Sequence, residues 1–423
     1  MDQSRLDAIA RMLATGASRR RIATGLAGAV LGGLALPRRT MAACKRVGQN
    51  CGQNQDCCTG AECAGGACRC KPGRDECGGK CYRLDSDERH CGACNNDCAA
   101  GERCCDGTCA DIESDSANCG ACGAACTSFE ICHDGRCDDA DYLYADEWGG
   151  SGGGNGEFAH PVGIAVNADD EIYVTDQFND RIQRFAADGT FLGKWGSGGS
   201  GDGEFWSPLA VAVNNSGEVY VADTSNHRVQ KFSADGVYLG QWGQRGGGDG
   251  EFAYPHGIAV GPSGNVFVAD SRNDRIQKFG SGGSFLFAFG GSGSGQGQFD
   301  HPYGIAVTAV GEIYVADFGN HRVQKFDENG AFVTEWGDEG TGVGLFRSPG
   351  GVAVDAAGRV YVADMLNHRI EKFGGNGTFQ ATWGSLGSTD GEFAFPHGVA
   401  VDASGNVYVT DSDNHRIQRF EPA

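Results

Sequence analysis

No cysteine follows Cys137; all 20 lie between Cys44 and Cys137. That absence removes thiol nucleophiles, thiolate-held zinc and disulfides from residues 138–423. Basic side chains are scarce there too. Residues 1–137 carry 17 acidic and 17 basic residues, so of the chain's 55 acidic and 34 basic residues, 38 and 17 fall in 138–423. The net charge of −21 therefore belongs to the C-terminal part. Phosphate contacts dominate nucleic-acid affinity, so nucleic acid is not an expected partner of so acidic a domain, and the excess charge serves solubility. The apolar run from Ile22 to Leu36 is shorter than the ~20 residues of a spanning helix, so no transmembrane anchor is expected after processing. The sequence has no His-Glu-x-x-His string and no Gly-Lys-Ser/Thr phosphate loop.

What is present is repetition. Asp176, Asp223, Asp270, Asp317, Asp364 and Asp411 recur every 47 residues, each ending a short apolar string such as IYVTD or VYVAD. An arginine follows each after five residues: Arg181, Arg228, Arg275, Arg322, Arg369 and Arg416. Six of the ten prolines keep the same period, at Pro161, Pro208, Pro255, Pro302, Pro349 and Pro396. A repeat of this length is an array of supersecondary units. The first unit reads as four strands: Gly163 to Val166, Glu171 to Asp176, Arg181 to Phe185 and Phe191 to Gly196. Alternation marks the second and third as half-buried, and the apolar first strand as buried on both faces. Turns such as Asp188-Gly189 and Asn329-Gly330 suit tight hairpins. Radially repeated four-stranded sheets make an all-β propeller. Its fourth strands end at Trp195, Trp242, Phe289, Trp336 and Trp383, and Trp148 lies one period upstream. Residues 142–149 are therefore expected to supply the last blade's outer strand, giving six blades within 138–423 and covering otherwise open edges.

The strings Pro302 to Val307, Tyr314 to Asp317 and Asn320 to Phe326 (P-x-G-I-A-V, Y-V-A-D, N-H-R-V-Q-K-F) resemble the NHL-repeat family of six-bladed propellers. The resemblance covers about residues 142–423. It implies a fold, not one function, because this fold hosts several.

Residues 1–43 read as an export signal. Ser18-Arg19-Arg20-Arg21-Ile22 resembles the twin-arginine consensus, and Met41-Ala42-Ala43 offers a small-residue site after the apolar run. The protein is thus expected outside the cytoplasm, extracellular or at the cell surface. Lipidation of Cys44 would leave an odd number of cysteines. In residues 44–70, the spacing of Cys44, Cys51, Cys57, Cys58, Cys63 and Cys68 is similar to an inhibitor cystine knot. Residues 71–137 follow a 28-residue repeat that aligns Cys70, Cys98 and Cys126, and likewise Cys81, Cys109 and Cys137. The strings HCGACNNDC and NCGACGAAC resemble Stig1-like modules. Disulfides are expected in an oxidising compartment. Zinc is the competing reading, from Cys91-x2-Cys94 and Cys119-x2-Cys122.

Chemistry in the propeller must come from what is not repeated. The six Asp–Arg pairs are scaffold, because catalytic constellations are single and asymmetric. His227, His321, His368 and His415 alternate with Asp180 and Asp274 at one position, which suggests a solvent-facing polar place. Glycine-rich segments such as Gly196 to Gly201 read as permissive surface loops. Residues flanking the prolines are expected around the channel mouth: Val162, Leu209, His256, Tyr303, Gly350 and His397 after them, and His160, Ser207, Tyr254, His301, Ser348 and Phe395 before. Pro255-His256-Gly257 and Pro396-His397-Gly398 are similar to the Pro-His motif of peptidylglycine amidating lyases. That resemblance implies imidazole ligands to a metal, but only two are present, so a channel zinc or calcium would need others. The expectation is a binding scaffold for an extracellular protein, peptide or glycan rather than an enzyme. Tyr254, His256, Tyr303, His397, Trp206, Phe318 and Arg272 are its contact residues. The alternative is a metal-assisted lyase or hydrolase using His256 and His397, with Tyr303 as acid or base.

Overall fold

A computed structural model of the chain describes residues 142–422 throughout and, upstream, Cys98 and short strands between Ala61 and Asp139. The export signal lies outside the described residues. Contacts divide the chain into residues 1–81 and 82–423. Upstream of the propeller the described strands are hairpins, including Ala61–Ala64 with Ala67–Cys70, Glu102–Cys105 with Thr108–Asp111, and Glu130–His133 with Arg136–Asp139. The last two start 28 residues apart, in step with the cysteine repeat. Cys98 and Cys109 form a disulfide. Sulfur is therefore oxidised at these two positions. The knot-like pairings and the Cys91, Cys94, Cys119 and Cys122 set lie outside the described residues.

The propeller is six four-stranded antiparallel sheets. The first runs Pro161–Val166, Ile172–Asp176, Arg181–Phe185 and Phe191–Trp195. The sixth takes Pro396–Val401, Val407–Asp411 and Arg416–Pro422 from the end of the chain and Tyr142–Gly149 from before the first blade. Ile417 pairs with Trp148 across this seam. Arg419 clasps Asp146 through two 3.0 Å contacts, and Arg416 bonds Glu147.

The core lies between blades. One cluster joins Tyr173 and Ile182 of blade one to Val211, Val219, Val221 and Phe232 of blade two, and five others repeat this arrangement around the ring. The second strands are buried at every residue. This reverses the assignment made from alternation. First strands such as Pro161–Val166 and Pro255–Val260 keep partly exposed positions because one face lines the channel, while second strands are sandwiched by neighbouring blades. Gly236 sits where a Cβ would come 2.5 Å from the Trp195 ring, at φ +80°, so its turn needs glycine on both counts.

The recurring polar residues form one network per blade. In blade one, Arg181 Nε donates to Asp176 Oδ2 at 2.7 Å, and its other nitrogens donate to the carbonyls of Gly153, Gly154 and Glu157. Asn179 holds Gly152, and Gln183 holds Glu157 and Asp176. The glycine-rich loops are thus fastened to the third strand of their own blade rather than being permissive surface loops. Blade five departs at one atom. Where the others place a glutamine amide on the aspartate, it has Glu371, fully buried, with Oε1 on Arg369 at 2.8 Å and Oε2 without a partner.

The His/Asp position also differs from its expected role. These residues, and those preceding the prolines, have left-handed backbones, with φ between 49° and 63°. The first bonds the second across the blade boundary. His227, His321, His368 and His415 accept through Nδ1, and Asp180 and Asp274 through Oδ1. The position is an inter-blade acceptor, which either side chain can supply.

Candidate functional site

Val162, Leu209, His256, Tyr303, Gly350 and His397 line one cavity of about 80 Å³ at the start of the first strands. Each is aimed inward by the bulge after the proline, where pairing with the second strand skips a register. The lining is lopsided, with Val162 and Leu209 apolar and His256, Tyr303 and His397 polar. Gly350 offers no side chain in blade five, and a Cβ there would come 3.0 Å from the His397 carbonyl oxygen. The Tyr303 ring lies 4.2 Å from that of His256 and 6.0 Å from that of His397. Tyr303 rests edge-on against Phe318 at 4.1 Å.

Burial sets the protonation states. It pushes the His397 imidazole down to about 3, with His160 adding to the effect and Asp413 opposing it. His256 falls well below the usual range through burial, then through His397, His301 and Arg272. The Tyr303 phenol is pushed up to about 12 by burial, against the pull of Arg272. At neutral pH the mouth therefore holds neutral rings. His256 Nδ1 is buried without a partner.

The residues preceding the prolines form an outer ring. Tyr254 packs against His227 at 4.5 Å and carries the Arg272 guanidinium 4.4 Å above its ring. Trp206 is 63% exposed. Phe318 is only 7% exposed and supports Tyr303 instead of offering a contact of its own. Phe178, absent from the expected contacts, is 57% exposed beside His160. Its place after a buried repeated strand, where other blades have Ser225, Arg272 or Leu366, is the signal that marks it.

A metal fits the mouth poorly. Two neutral imidazoles flank a tyrosine, and no carboxylate lines the cavity. Catalytic zinc takes three protein ligands and calcium six to eight oxygens. Among the described residues, the group that gathers three His, Cys, Asp or Glu donor atoms within 4.8 Å is Asp274, Asp300 and His301, outside the cavity. Asp274 Oδ1 already accepts the His301 backbone N–H and Asp300 Oδ1 bonds His301 Nδ1, and no fourth such donor joins the group among the described residues.

The NHL repeat pattern matches residues 158–185, 205–232, 252–279, 299–326, 346–373 and 393–420, one match per blade. The chain carries six NHL repeats. The pattern of the stigma-specific STIG1-like protein family matches residues 63–140, over the cysteine repeats. No curated protein matches the chain. Among solved structures, a protein of unknown function from Bacteroides thetaiotaomicron is 17% identical, with 70% of this chain and 81% of that one covered and a TM-score of 0.53. A streptogramin B lyase is 13% identical over 67% of this chain and 98% of its own, with a TM-score of 0.48. A gluconolactonase from Xanthomonas campestris is 13% identical over 67% and 97%, with a TM-score of 0.48. Likenesses at this identity establish the propeller fold and nothing finer.

Proposed function

We propose that the NHL propeller is an exported binding module whose loop face holds a protein, peptide or glycan partner outside the cytoplasm, with the STIG1-like region as a second binding surface. One observation carries this reading. The repeated polar side chains are consumed by the blade networks, while unrepeated aromatic and cationic ones collect on one face: Phe178, Trp206, and Arg272 over Tyr254. Exposed aromatics and arginine are the residues that anchor interfaces. A metal-assisted lyase or hydrolase is supported less, because imidazoles held so far below neutral pH are weak bases and the cavity has no carboxylate to assist them.

The test is binding of the full chain to peptide and glycan arrays, beside Trp206→Ala and Arg272→Ala. Ligands recovered by the parent are expected to lose about tenfold in affinity in each variant. Leu239→Ala, at an exposed outer-strand residue, is the control. Loss in the control, or none in the face variants, overturns the reading.

A further inference from the structure

Charge is divided across the channel mouth: Asp413 acts on His397 on one side, and Arg272 acts on His256 and Tyr303 on the other. Residues 138–423 hold 38 acidic and 17 basic side chains. Yet the one permanently charged side chain that acts on both His256 and Tyr303 is Arg272, and no described carboxylate reaches either ring. Arg272 makes no ion pair among the described residues; its contact is the Tyr254 ring. A permanent cation on the His256 side of a concave opening, with Asp413 on the His397 side, draws anions to the His256 side.

The polar atoms there suit an acceptor. Each neutral imidazole offers one N–H, Tyr303 keeps its hydroxyl proton, and His256 Nδ1 has no bond inside the protein. Charge-assisted bonds from such donors to an oxyanion are about twice as strong as neutral ones. Size limits what enters. The cavity measures about 80 Å³, roughly half the ~150 Å³ of an apolar cavity that admits a benzene ring. A carboxylate and an atom or two fit, but a sugar ring does not. The bulk of a ligand must stay on the face, where Trp206 and Phe178 stand exposed.

Resting on the binding reading above, we propose that the mouth is a carboxylate site. It takes the C-terminal carboxylate of a peptide, held by Tyr303 and His256 with Arg272 at the rim, while the final side chain stays outside the cavity on the face. A chain terminus meets all three conditions: it is anionic, slim, and attached to a body that lies across the aromatic face.

The experiment is calorimetry on the full chain with a pentapeptide ending in free leucine, the same peptide as its C-terminal amide, and acetate. The free acid is expected to bind about tenfold tighter than the amide. Arg272→Gln and Tyr303→Phe are each expected to remove most of that preference while melting normally. Leu239→Ala should leave it intact. Equal affinity for acid and amide, or a preference that survives Arg272→Gln, overturns the carboxylate site but leaves the binding face standing. Acetate binding as tightly as the peptide overturns the peptide assignment. Binding of neither peptide overturns the proposal, while the array comparison still decides the binding reading separately.

Discussion

The Nδ1 atom of His227 accepts the backbone N–H of Tyr254 at 3.1 Å, joining blade two to blade three. Both residues have left-handed backbones, at φ 55° and 53°. Such conformations cost about 1–3 kcal/mol each for residues other than glycine, so surrounding bonds must hold them. The same link recurs at each boundary, and His415 to His160 closes the ring. An acceptor Nδ1 requires a neutral imidazole with its proton on Nε2.

Acid should therefore loosen the ring. Burial, the leading cause, lowers His227, His368 and His415 below the ordinary imidazole value. Above about pH 6.5 the folded and unfolded chains both hold these rings neutral, and nothing is lost. Below it the unfolded chain takes protons first, and stability declines until the folded rings titrate too. Buried Asp223, Asp364 and Asp411 are pushed upward and act in the opposite direction, so the comparison must be between variants. Replacing the three histidines by aspartate, which positions 180 and 274 already use, should shrink the fall in melting temperature between pH 7.5 and pH 5. A fall of the same size in parent and triple variant would exclude this account.

Glu371 is a second pH-sensitive point, with the reverse sign. Burial pushes its carboxyl up to about 8; Arg369 opposes this and Asp364 reinforces it. The unfolded chain ionises this group from its ordinary value of 4.5, whereas the folded chain keeps it neutral. Stability should fall as pH rises from 4.5 towards about 8, since ionisation favours the unfolded state throughout that window. Glu371→Gln restores the side chain of the other blades. It should stabilise by about 2–4 kcal/mol at pH 8 and by much less at pH 5. Urea unfolding at the two pH values measures this; an equal gain at both would show that charge is not the cause.

The period of the aspartates, arginines and prolines made the propeller, its six blades and the closing strand legible, because these features depend on spacing along the chain. The inter-blade role of His227 was not, since it joins residues 27 apart through a backbone twist that composition does not reveal. Alternation misled about the first and second strands because a central channel, not solvent outside, makes the exposed face. At the mouth, deviation from the repeat pointed to His256, Tyr303 and His397 lining one cavity. The same rule chose Phe318, which packs beneath Tyr303, because a break in a repeat marks a different neighbour as readily as a ligand.

Arg322 should be irreplaceable even by lysine. Its Nε bonds Asp317 at 2.8 Å, and its two terminal nitrogens reach the carbonyls of Ser294, Gly295 and Gln298 and the carboxylate of Glu335. A lysine ammonium is a point donor and cannot span this fork. Removing one partner of a buried pair costs about 3–5 kcal/mol. Arg322→Lys and Arg322→Ala should both approach that loss in urea unfolding. A lysine variant within experimental error of the parent would show that charge alone suffices at this position.

The metal content of the full chain separates the two functional readings. The mouth offers two neutral imidazoles and a protonated phenol, whereas a zinc site needs a third strong donor and calcium prefers several carboxylate or carbonyl oxygens. Zinc and calcium per chain are therefore expected to be the same in the parent and in His256→Ala/His397→Ala, as measured by elemental analysis after dialysis. Any metal held upstream cancels in that difference. One equivalent lost in the double variant would mean that Tyr303 or a group beyond the cavity completes the coordination. It would also place the metal-assisted lyase or hydrolase reading ahead of binding, because a metal-bound water near neutral acidity supplies the base that these imidazoles cannot.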